Sequence, residues 1–338
     1  MTRVPKPDFA HLLSLGGPYG TFEHADHSEA RIEHGYCTDD VARVLLVTAR
    51  ENDPSFELRQ LTRSSLEFLR NAQGSDGRVI NRRAASGAFV GRATDEDCWG
   101  RTVWALGTVV ARSSESDLVD EATQLFDRCG GGVAPSLRTM AFAVFGAVEV
   151  LNVDPENETA RALAVAAAAL LDRPEPVAGW RWCEDRLTYA NAALPEAMMV
   201  AGSIVGNDRL VDSGLRQLKW LLDMASSDGH LSVTPAEGRS PNAKPKKFDQ
   251  QPIEVAAMSE ACLRAQALTG DAEWIKGHEL AVQWFLGDND IGAPMFDPNT
   301  GGGYDGLTAT GPNLNQGAES TIALLTTLQQ AHHFELAL

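Results

Sequence analysis

The sequence predicts an all-α protein with the architecture of an (α/α)6 barrel, in which six outer helices surround six inner ones. The 338-residue chain is rich in alanine and leucine, and few segments alternate with period two, so helix is the dominant prediction. One kind of helix has a polar face, whereas the other is apolar nearly all round and must be covered on every side. The two kinds alternate along the chain, which describes two concentric rings.

Six buried helices supply the predicted inner ring. A capping residue or an early proline marks the start of each one. Thr, Asp and Asn accept bonds from the free N–H groups of a helix start, and proline has no N–H to leave unpaired there. The predicted starts are Thr38, Asp97, Pro135, Pro195, Pro252 and Asn315.

Five amphipathic segments supply the predicted outer ring. In 207–225, Val211, Leu215, Leu218 and Leu222 recur at helical spacing and share one face, while charged residues occupy the others. The other four segments cover 58–71, 118–126, 159–171 and 272–285. The sixth outer position belongs to the short N-terminal stretch 8–15, or it is empty.

The connections between helices predict short β-hairpins at one end of the barrel. Asp-Gly turns lie between short apolar runs at 74–79 and 226–231, which is a hairpin signal. The segment 237–247 is polar, contains two prolines and is expected to form a surface loop. No linker is visible, so residues 1–338 are predicted to form a single domain.

The charge of the chain limits its partners. Lys and Arg number 29 against 46 Asp and Glu, which gives a net charge of −17. So acidic a surface repels phosphate backbones and anionic lipid headgroups, so neither nucleic acid nor a membrane is expected as a partner. A neutral ligand suits it better than a polyanion.

Targeting and cysteine patterns indicate a cytoplasmic protein. The N-terminus has no apolar run long enough for a secretory signal, and the longest apolar stretch, 162–171, is half a membrane span. The five cysteines are an odd number and none forms a CxxC pair. Neither a disulfide framework nor a structural zinc site is therefore expected.

The topology predicts where the chemistry lies. In a double ring of helical hairpins the inner helices all run the same way, so their N-terminal ends meet at one mouth of the barrel. The residues at these starts include acids, amides and aromatics in unusual number. A first-turn carboxylate alone is explained by the helix macrodipole, and an aromatic alone by core packing. The combination at five of six starts points instead to a ligand site.

Aromatic faces together with paired acids and amides suit a sugar, and glycoside hydrolysis needs two carboxyl groups in different protonation states. Asp40 and Glu184 are the predicted acid/base pair, with Asp97 as the main alternative. Because Asp40 and Glu184 lie on different inner helices, the wider spacing of an inverting enzyme is the more natural expectation. The predicted substrate-binding residues are Tyr36, Asp39, Trp99, Arg101, Trp182, Asp185, Tyr189, Asn191, Gln251, Glu254, Asn315, Gln316 and Glu319. Among them, the aromatics would stack on sugar rings and most of the polar residues would bind hydroxyls.

Four motifs carry a family resemblance: HGYCTDDVAR (34–43), WRWCEDRLTYANAALPEA (180–197), FDQQPIEVAAM (248–258) and NQGAEST (315–321). In this order they resemble a bacterial family of glycosidase-like (α/α)6-barrel proteins that often carry a glycosyltransferase label. The architecture is also remotely similar to unsaturated glucuronyl hydrolases and sugar 2-epimerases. The resemblance implies carbohydrate chemistry. The family favours Tyr-Asp-Asn at 189–191 and an aromatic at 183, where this chain has Ala190 and Cys183.

The nucleotide-sugar transferase implied by that label finds no support in the residues, because the chain has no parallel-strand pattern, no GxGxxG and no P-loop. The favoured function is a glycoside hydrolase acting on a neutral manno- or gluco-configured oligosaccharide, without cofactor or metal. One alternative is a sugar epimerase or isomerase using His24, His27, His34 or His230 as a proton shuttle. Another is a non-catalytic carbohydrate-binding module, which Ala190 favours. The residue patterns give less support to two other hypotheses, a terpene-cyclase-like enzyme and a zinc hydrolase.

Overall fold

The computed structural model describes residues 4–130, 134–174 and 179–337, and this part of the chain is mostly helical. Outer and inner helices alternate in chain order, beginning with an outer one. They are α1 (Ala10–Ser14), α2 (Thr38–Ala49), α3 (Phe56–Ala72), α4 (Asp97–Arg112), α5 (Ser116–Cys129), α6 (Leu137–Val153), α7 (Glu158–Leu171), α8 (Ala193–Val205), α9 (Asp208–Ala225), α10 (Pro252–Thr269), α11 (Ala272–Leu286) and α12 (Ala318–Ala337).

The six even-numbered helices form a closed inner ring. Each packs against the next inner helix, and α12 returns to pack against α2. The odd-numbered helices lie outside, each against the inner helix that precedes it, and the five-residue α1 packs against α12 and α3. The (α/α)6-barrel prediction is confirmed, and the N-terminal stretch takes the sixth outer position.

Burial explains the two kinds of helix. On α9 the buried residues Leu210, Leu218, Leu221 and Leu222 follow one stripe, whereas the N-terminal two-thirds of α6 is buried on all sides. The helices α4 and α6 approach closely because both carry glycine at the crossing. A Cβ built on Gly107 would lie 2.2 Å from the carbonyl oxygen of Gly146.

Three of the six predicted inner starts are confirmed, at Thr38, Asp97 and Pro252. The other three were wrong by two or three residues: α6 and α12 are capped by side chains other than the expected ones, and α8 begins two residues before Pro195 without a side-chain cap. The hydroxyl of Ser136 accepts from the Thr139 N–H, so α6 begins after Pro135, at Leu137.

The other two misplaced starts have one local and one long-range reason. Pro195 is the third residue of α8, where its missing N–H is still harmless. At α12, the Asp305 carboxylate accepts from the Gly317 N–H at 2.8 Å and from the Ser320 hydroxyl at 2.6 Å. The helix consequently begins at Ala318 rather than at Asn315.

Short antiparallel strands occupy the connections that lead into inner helices. The strands are β1 (Gly16–Gly17), β2 (Gly20–Thr21), β3 (Ala25–Asp26), β4 (Glu29–Ala30), β5 (Tyr36–Cys37), β6 (Val79–Arg83), β7 (Phe89–Thr94), β8 (Ser226–Ser227), β9 (His230–Leu231), β10 (Gly306–Thr308) and β11 (Gly311–Asn313). They pair as four two-stranded hairpins and one three-stranded sheet of order β5-β6-β7. A 3-10 turn, Ile32–His34, precedes β5.

The hairpin predicted at 226–231 is present as β8–β9, and the turn at 74–79 is closed by a bridge between Gln73 and Val79. The longer β6–β7 hairpin was not anticipated. The polar segment 237–247 contains neither helix nor strand. All five cysteines are unpaired and buried. Within the described ranges, no helix combines the length and the apolar character needed to cross a bilayer.

Candidate active site

Arg43 organises the mouth of the barrel, meaning the end at which the inner helices begin. It lies in the second turn of α2 and is nearly buried. Its guanidinium donates to Asp39 at 2.8 Å, to Asp40 at 2.7 Å and, across the ring closure, to Glu319 at 2.6 Å. Three acids from the first turns of α2 and α12 thus converge on one cation.

Asp40 is the most deeply placed acid of this cluster. Its side chain is 4% exposed, and burial raises the pKa of its carboxyl to about 7. Arg43 opposes that rise in pKa, while the neighbouring carboxylates of Glu319 and Asp39 add to it. Asp40 can therefore hold a proton close to neutral pH, as a general acid must.

The same three acids have the spacing of a cation site. Oxygen atoms of Asp39, Asp40 and Glu319 lie within 4.8 Å of one another. The Arg43 guanidinium, however, lies within hydrogen-bonding distance of all three and neutralises part of their charge. We therefore assign the cluster to this internal cation rather than to a metal ion.

Arg101 extends the cluster towards α4 and α6. Its Nε lies 3.1 Å from Asp39 Oδ1, and its guanidinium carbon lies 4.0 Å from the centre of the Phe142 ring. The side chain is buried, so its position is fixed by one ion pair and one cation–π contact. Arg101 thereby presents a fixed cation beside the open space of the mouth.

Asp97 lines a cavity of about 420 Å³ at the mouth, which Asp39, Asn81 and Tyr189 also line. The Thr139 hydroxyl donates to one Asp97 oxygen at 2.7 Å, and the Tyr189 hydroxyl donates to the other. Burial and the Asp97 charge raise the pKa of Tyr189. Tyr189 remains 40% exposed, so its ring offers a face to a ligand.

Glu184 is held by Arg138 of α6. One guanidinium nitrogen donates to both Glu184 oxygens, at 2.8 and 2.9 Å. The same guanidinium donates to the Tyr189 carbonyl at 2.6 Å and to the Asn191 side-chain oxygen at 3.2 Å. Arg138 therefore ties the segment before α8 to the mouth, and Glu184 is its counter-ion.

Glu254 continues this network from α10. One of its oxygens accepts from the Asn191 side-chain amide at 2.9 Å, and the other is buried without a hydrogen-bond partner in the described chain. Burial raises the pKa of Glu254 to about 7. An unpartnered oxygen on a group that readily holds a proton is consistent with a neutral carboxyl.

Several residues predicted to contact substrate are instead part of the core. Tyr36, Trp99 and Trp182 are at most 1% exposed, so the prediction that they stack on a sugar was wrong. Asn191 is fully buried, and its bonds to Arg138 and Glu254 use both ends of its amide. These side chains have no surface available for a ligand.

The remaining predicted polar residues before α12, α10 and α8 differ in burial and in their contacts. Gln316 is buried and accepts from the Thr300 hydroxyl at 2.6 Å, so it supports the loop rather than the mouth. The side-chain oxygen of Asn315 accepts from the His27 N–H at 3.0 Å. Gln251 is half-buried as the residue before α10, and Asp185 is exposed.

A second cavity, the central pocket, runs along the barrel axis from the mouth. Arg43, Arg101 and Glu319 line its upper end, and its wall is mostly apolar. Glu196 and Glu260 lie among its deeper lining residues, and neither is a predicted site residue. Glu196 is the single acid of an otherwise apolar α8, which is the signal that could have identified it, whereas Glu260 shares α10 with Glu254 and Arg264 and has no such signal.

The whole chain was compared with known protein families, curated sequences and solved structures. No protein-family model matches the chain, and no curated protein sequence matches it significantly. Solved structures do match, and they are sugar-processing enzymes of the same (α/α)6-barrel architecture.

A sugar epimerase from a ruminal bacterium superposes with a TM-score of 0.73 at 14% identity, covering 96% of this chain and 95% of that one. The cellobiose 2-epimerase of Bacillus thermoamylovorans gives a TM-score of 0.71 at 12% identity, covering 94% and 95%. A cellulase of C. cellulolyticum, solved with cellobiose, gives 0.61 at 9%, covering 94% and 88%. At such low identities these likenesses establish the fold, including the similarity to sugar 2-epimerases that the sequence implied.

Proposed function

We propose that the chain is a carbohydrate-processing enzyme, and specifically a glycoside hydrolase acting on a neutral manno- or gluco-configured oligosaccharide. One observation carries the proposal: the mouth holds carboxyl groups in contrasting environments. Asp40 is buried with its pKa raised to about 7, whereas Asp97 borders an open cavity. Two carboxyls kept in different protonation states are what glycosidic cleavage requires.

In this proposal Asp40 is the general acid, and Asp97 replaces Glu184 as its preferred partner. Both oxygens of Glu184 are engaged by Arg138, so that carboxylate is poorly placed to accept a proton or to attack. The Asp97 oxygens receive two hydroxyl donors that fix their orientation at the edge of the cavity. Glu184 then serves as a positioning residue that keeps Arg138 in place.

The remaining residues of the mouth suit a neutral sugar. The exposed ring of Tyr189 can pack against the C–H face of a pyranose, as aromatic side chains pack on apolar surface. Asp39 offers acceptors for hydroxyls in the same cavity, and Arg101 and Glu319 offer a donor and an acceptor at the upper end of the central pocket. Acids outnumber unpaired cations there, which disfavours a uronic acid.

A sugar epimerase or isomerase is the second candidate, because two of the solved structures described above are epimerases. Such a reaction can use histidine as proton shuttle. Here neither the cavity beside Asp97 nor the central pocket has a histidine in its lining. His24 and His34 lie edge to face, with ring centres 5.1 Å apart, in the segment before α2, and they are the pair such an activity would use.

One assay in D2O separates the candidates. A panel of neutral gluco- and manno-oligosaccharides is incubated with the protein, and both new reducing ends and deuterium at carbon-bound positions are measured. A hydrolase releases reducing ends without carbon-bound deuterium, whereas an epimerase incorporates deuterium without cleavage. Calorimetric binding without either product would instead indicate a binding module.

Variants then test the assigned roles. Asp40→Asn and Asp97→Asn are each expected to lower kcat at least a hundredfold, as the loss of general acid or base catalysis does. Asp208→Asn, on the exposed start of α9, is the matched control and should leave kcat unchanged. Cleavage that survives both mouth substitutions would contradict the assignment.

A further inference from the structure

The barrel contains another cavity at the end opposite the mouth, which we call the far-end cavity. It has a volume of about 220 Å³ and is formed where inner helices end. Arg50 caps α2, Arg112 is the last residue of α4, and Gln329 and His333 lie in the later turns of α12. Nothing in the chemistry of the mouth uses these residues.

Three ion pairs surround the far-end cavity. Arg50 lies 2.7 Å from Glu260, Arg112 lies 3.4 Å from Glu149, and Arg264 lies 3.7 Å from Glu196. Cations at helix C-termini are expected from the macrodipole, but a buried acid near the end of α6, such as Glu149, is not. The alternation of donors and acceptors is therefore a property of the cavity rather than of the helix ends.

The lining also has unused hydrogen-bonding capacity. The side-chain oxygen of Gln329 is an acceptor without a partner in the described chain, and Gln329 is 2% exposed. The Nε of Arg264 is a donor that makes no hydrogen bond, since its ion pair with Glu196 is long. Trp104 and Phe145 provide the apolar part of the wall.

We propose that the far-end cavity is a second ligand site, and that its ligand is a neutral, polyhydroxylated ring of monosaccharide size. A hydroxyl both donates and accepts, so it can satisfy an arginine and a glutamate in turn. An anion would meet Glu149 and Glu260, and a cation would meet the three arginines. The ring carbons of a sugar would pack against Trp104 and Phe145.

The far-end cavity and the central pocket share part of their walls. Trp104, Phe145, Glu196 and Glu260 line both cavities. A sugar in the far-end cavity therefore contacts the same side chains that close the bottom of the central pocket. This makes the proposed ligand a candidate modulator of the mouth, although its binding is independent of any reaction there.

Calorimetric titration with free glucose, mannose and galactose tests the proposal. Ala267 is exposed on the rim of the far-end cavity, so Ala267→Trp should obstruct the opening without disturbing the core. We expect this variant to bind one sugar fewer than the unmodified protein does. Ala169→Trp, on the exposed face of α7, is the matched control and should keep the original stoichiometry.

The number of sugars bound per chain tests the far-end site independently of any activity at the mouth. If the mouth also binds the monosaccharide, Ala267→Trp lowers the stoichiometry from two to one. If the mouth does not bind it, the variant abolishes binding. Unchanged binding by Ala267→Trp, or no binding of any of the three sugars to the unmodified protein, would overturn the far-end site.

Discussion

At the scale of single residues, Arg43 is the group on which the mouth depends most. Its guanidinium is the common partner of Asp39, Asp40 and Glu319, and it is almost fully withdrawn from water. Those carboxylates attract the cation strongly enough to raise the pKa of Arg43, although burial opposes this. A charge held so tightly defines where the neighbouring acids lie and how readily they ionise.

Replacing Arg43 should therefore be costly. We expect Arg43→Met to lower the free energy of unfolding by about 3–5 kcal/mol, because it leaves buried carboxylates without their partner. Urea unfolding at pH 7 measures this loss. Arg92→Met, at an exposed position of β7, serves as the control and should change stability by less than about 0.5 kcal/mol. Similar losses for the two variants would contradict the role given to Arg43.

Glu254 makes the stability depend on pH. Its pKa is about 7 in the folded protein and near 4.5 when unfolded, so between these values the folded state binds more protons. Stability from this group therefore falls as pH rises from about 4.5 to about 7. Glu254→Gln should remove that decline, so that the variant gains about 3 kcal/mol on the unmodified protein over this range.

Unfolding in urea at a series of pH values measures this difference. The slope with pH is the informative quantity, because the new amide can carry a constant penalty of its own. Glu158→Gln, at the exposed first position of α7, is the control and should show no comparable slope. A difference between Glu254→Gln and the unmodified protein that does not vary with pH would contradict the raised pKa.

At the scale of helices, the contact between α4 and α6 shows packing prevailing over intrinsic propensity. Alanine is a better helix former than glycine by about 1 kcal/mol, so propensity alone favours Gly146→Ala. A Cβ on Gly146, however, would lie 2.2 Å from the Val103 carbonyl oxygen. Because that oxygen belongs to a helix backbone, the two helices must separate to admit the methyl group.

We therefore expect Gly146→Ala to lower the free energy of unfolding by about 1–3 kcal/mol, the usual range for overpacking. Thermal and urea unfolding measure the change. Ala162→Gly, on the exposed face of α7, is the reference for propensity alone and should cost about 1 kcal/mol. A stabilised Gly146→Ala protein would mean that α4 and α6 are not in this close contact.

The helices were predictable because burial repeats along each of them, whereas the direction of individual side chains was not. Periodicity correctly separated outer from inner helices, and topology placed Asp39, Asp40 and Glu319 in one cluster. The sequence did not reveal that Trp99 and Trp182 turn into the core while Tyr189 turns outward. That choice depends on how each helix rotates within the ring, and on loop contacts such as Arg138 with the Tyr189 carbonyl.

The accuracy of the predicted helix starts depended on whether the capping residue lies nearby in the sequence. Ser136 capped its own helix and could have been chosen over Pro135 from local rules. Asp305, by contrast, caps α12 from twelve or more residues away, and no local pattern identifies such a partner. Glu196 and Glu260 were missed because only the packing of α8 against α10 brings these two acids to one pocket.

At the scale of the whole molecule, charge should govern which sugars bind. The chain carries a net charge of −17, and the cations at the mouth are already paired with acids. A neutral oligosaccharide is expected to bind more tightly than its uronate-containing counterpart at low ionic strength. The gap should narrow as salt is added, since salt screens exposed charges. Calorimetry at two salt concentrations checks this, and equal affinities at low salt would contradict it.

The closure of the ring by α12 has a consequence for the order in which the protein is assembled. Arg43 meets Glu319 across 276 residues, and the Gln329 side chain meets the Val47 carbonyl across 282. During synthesis, Arg43 and Val47 of α2 therefore cannot make these contacts until α12 has left the ribosome. Asp40 therefore acquires its complete surroundings only after α12 has been made.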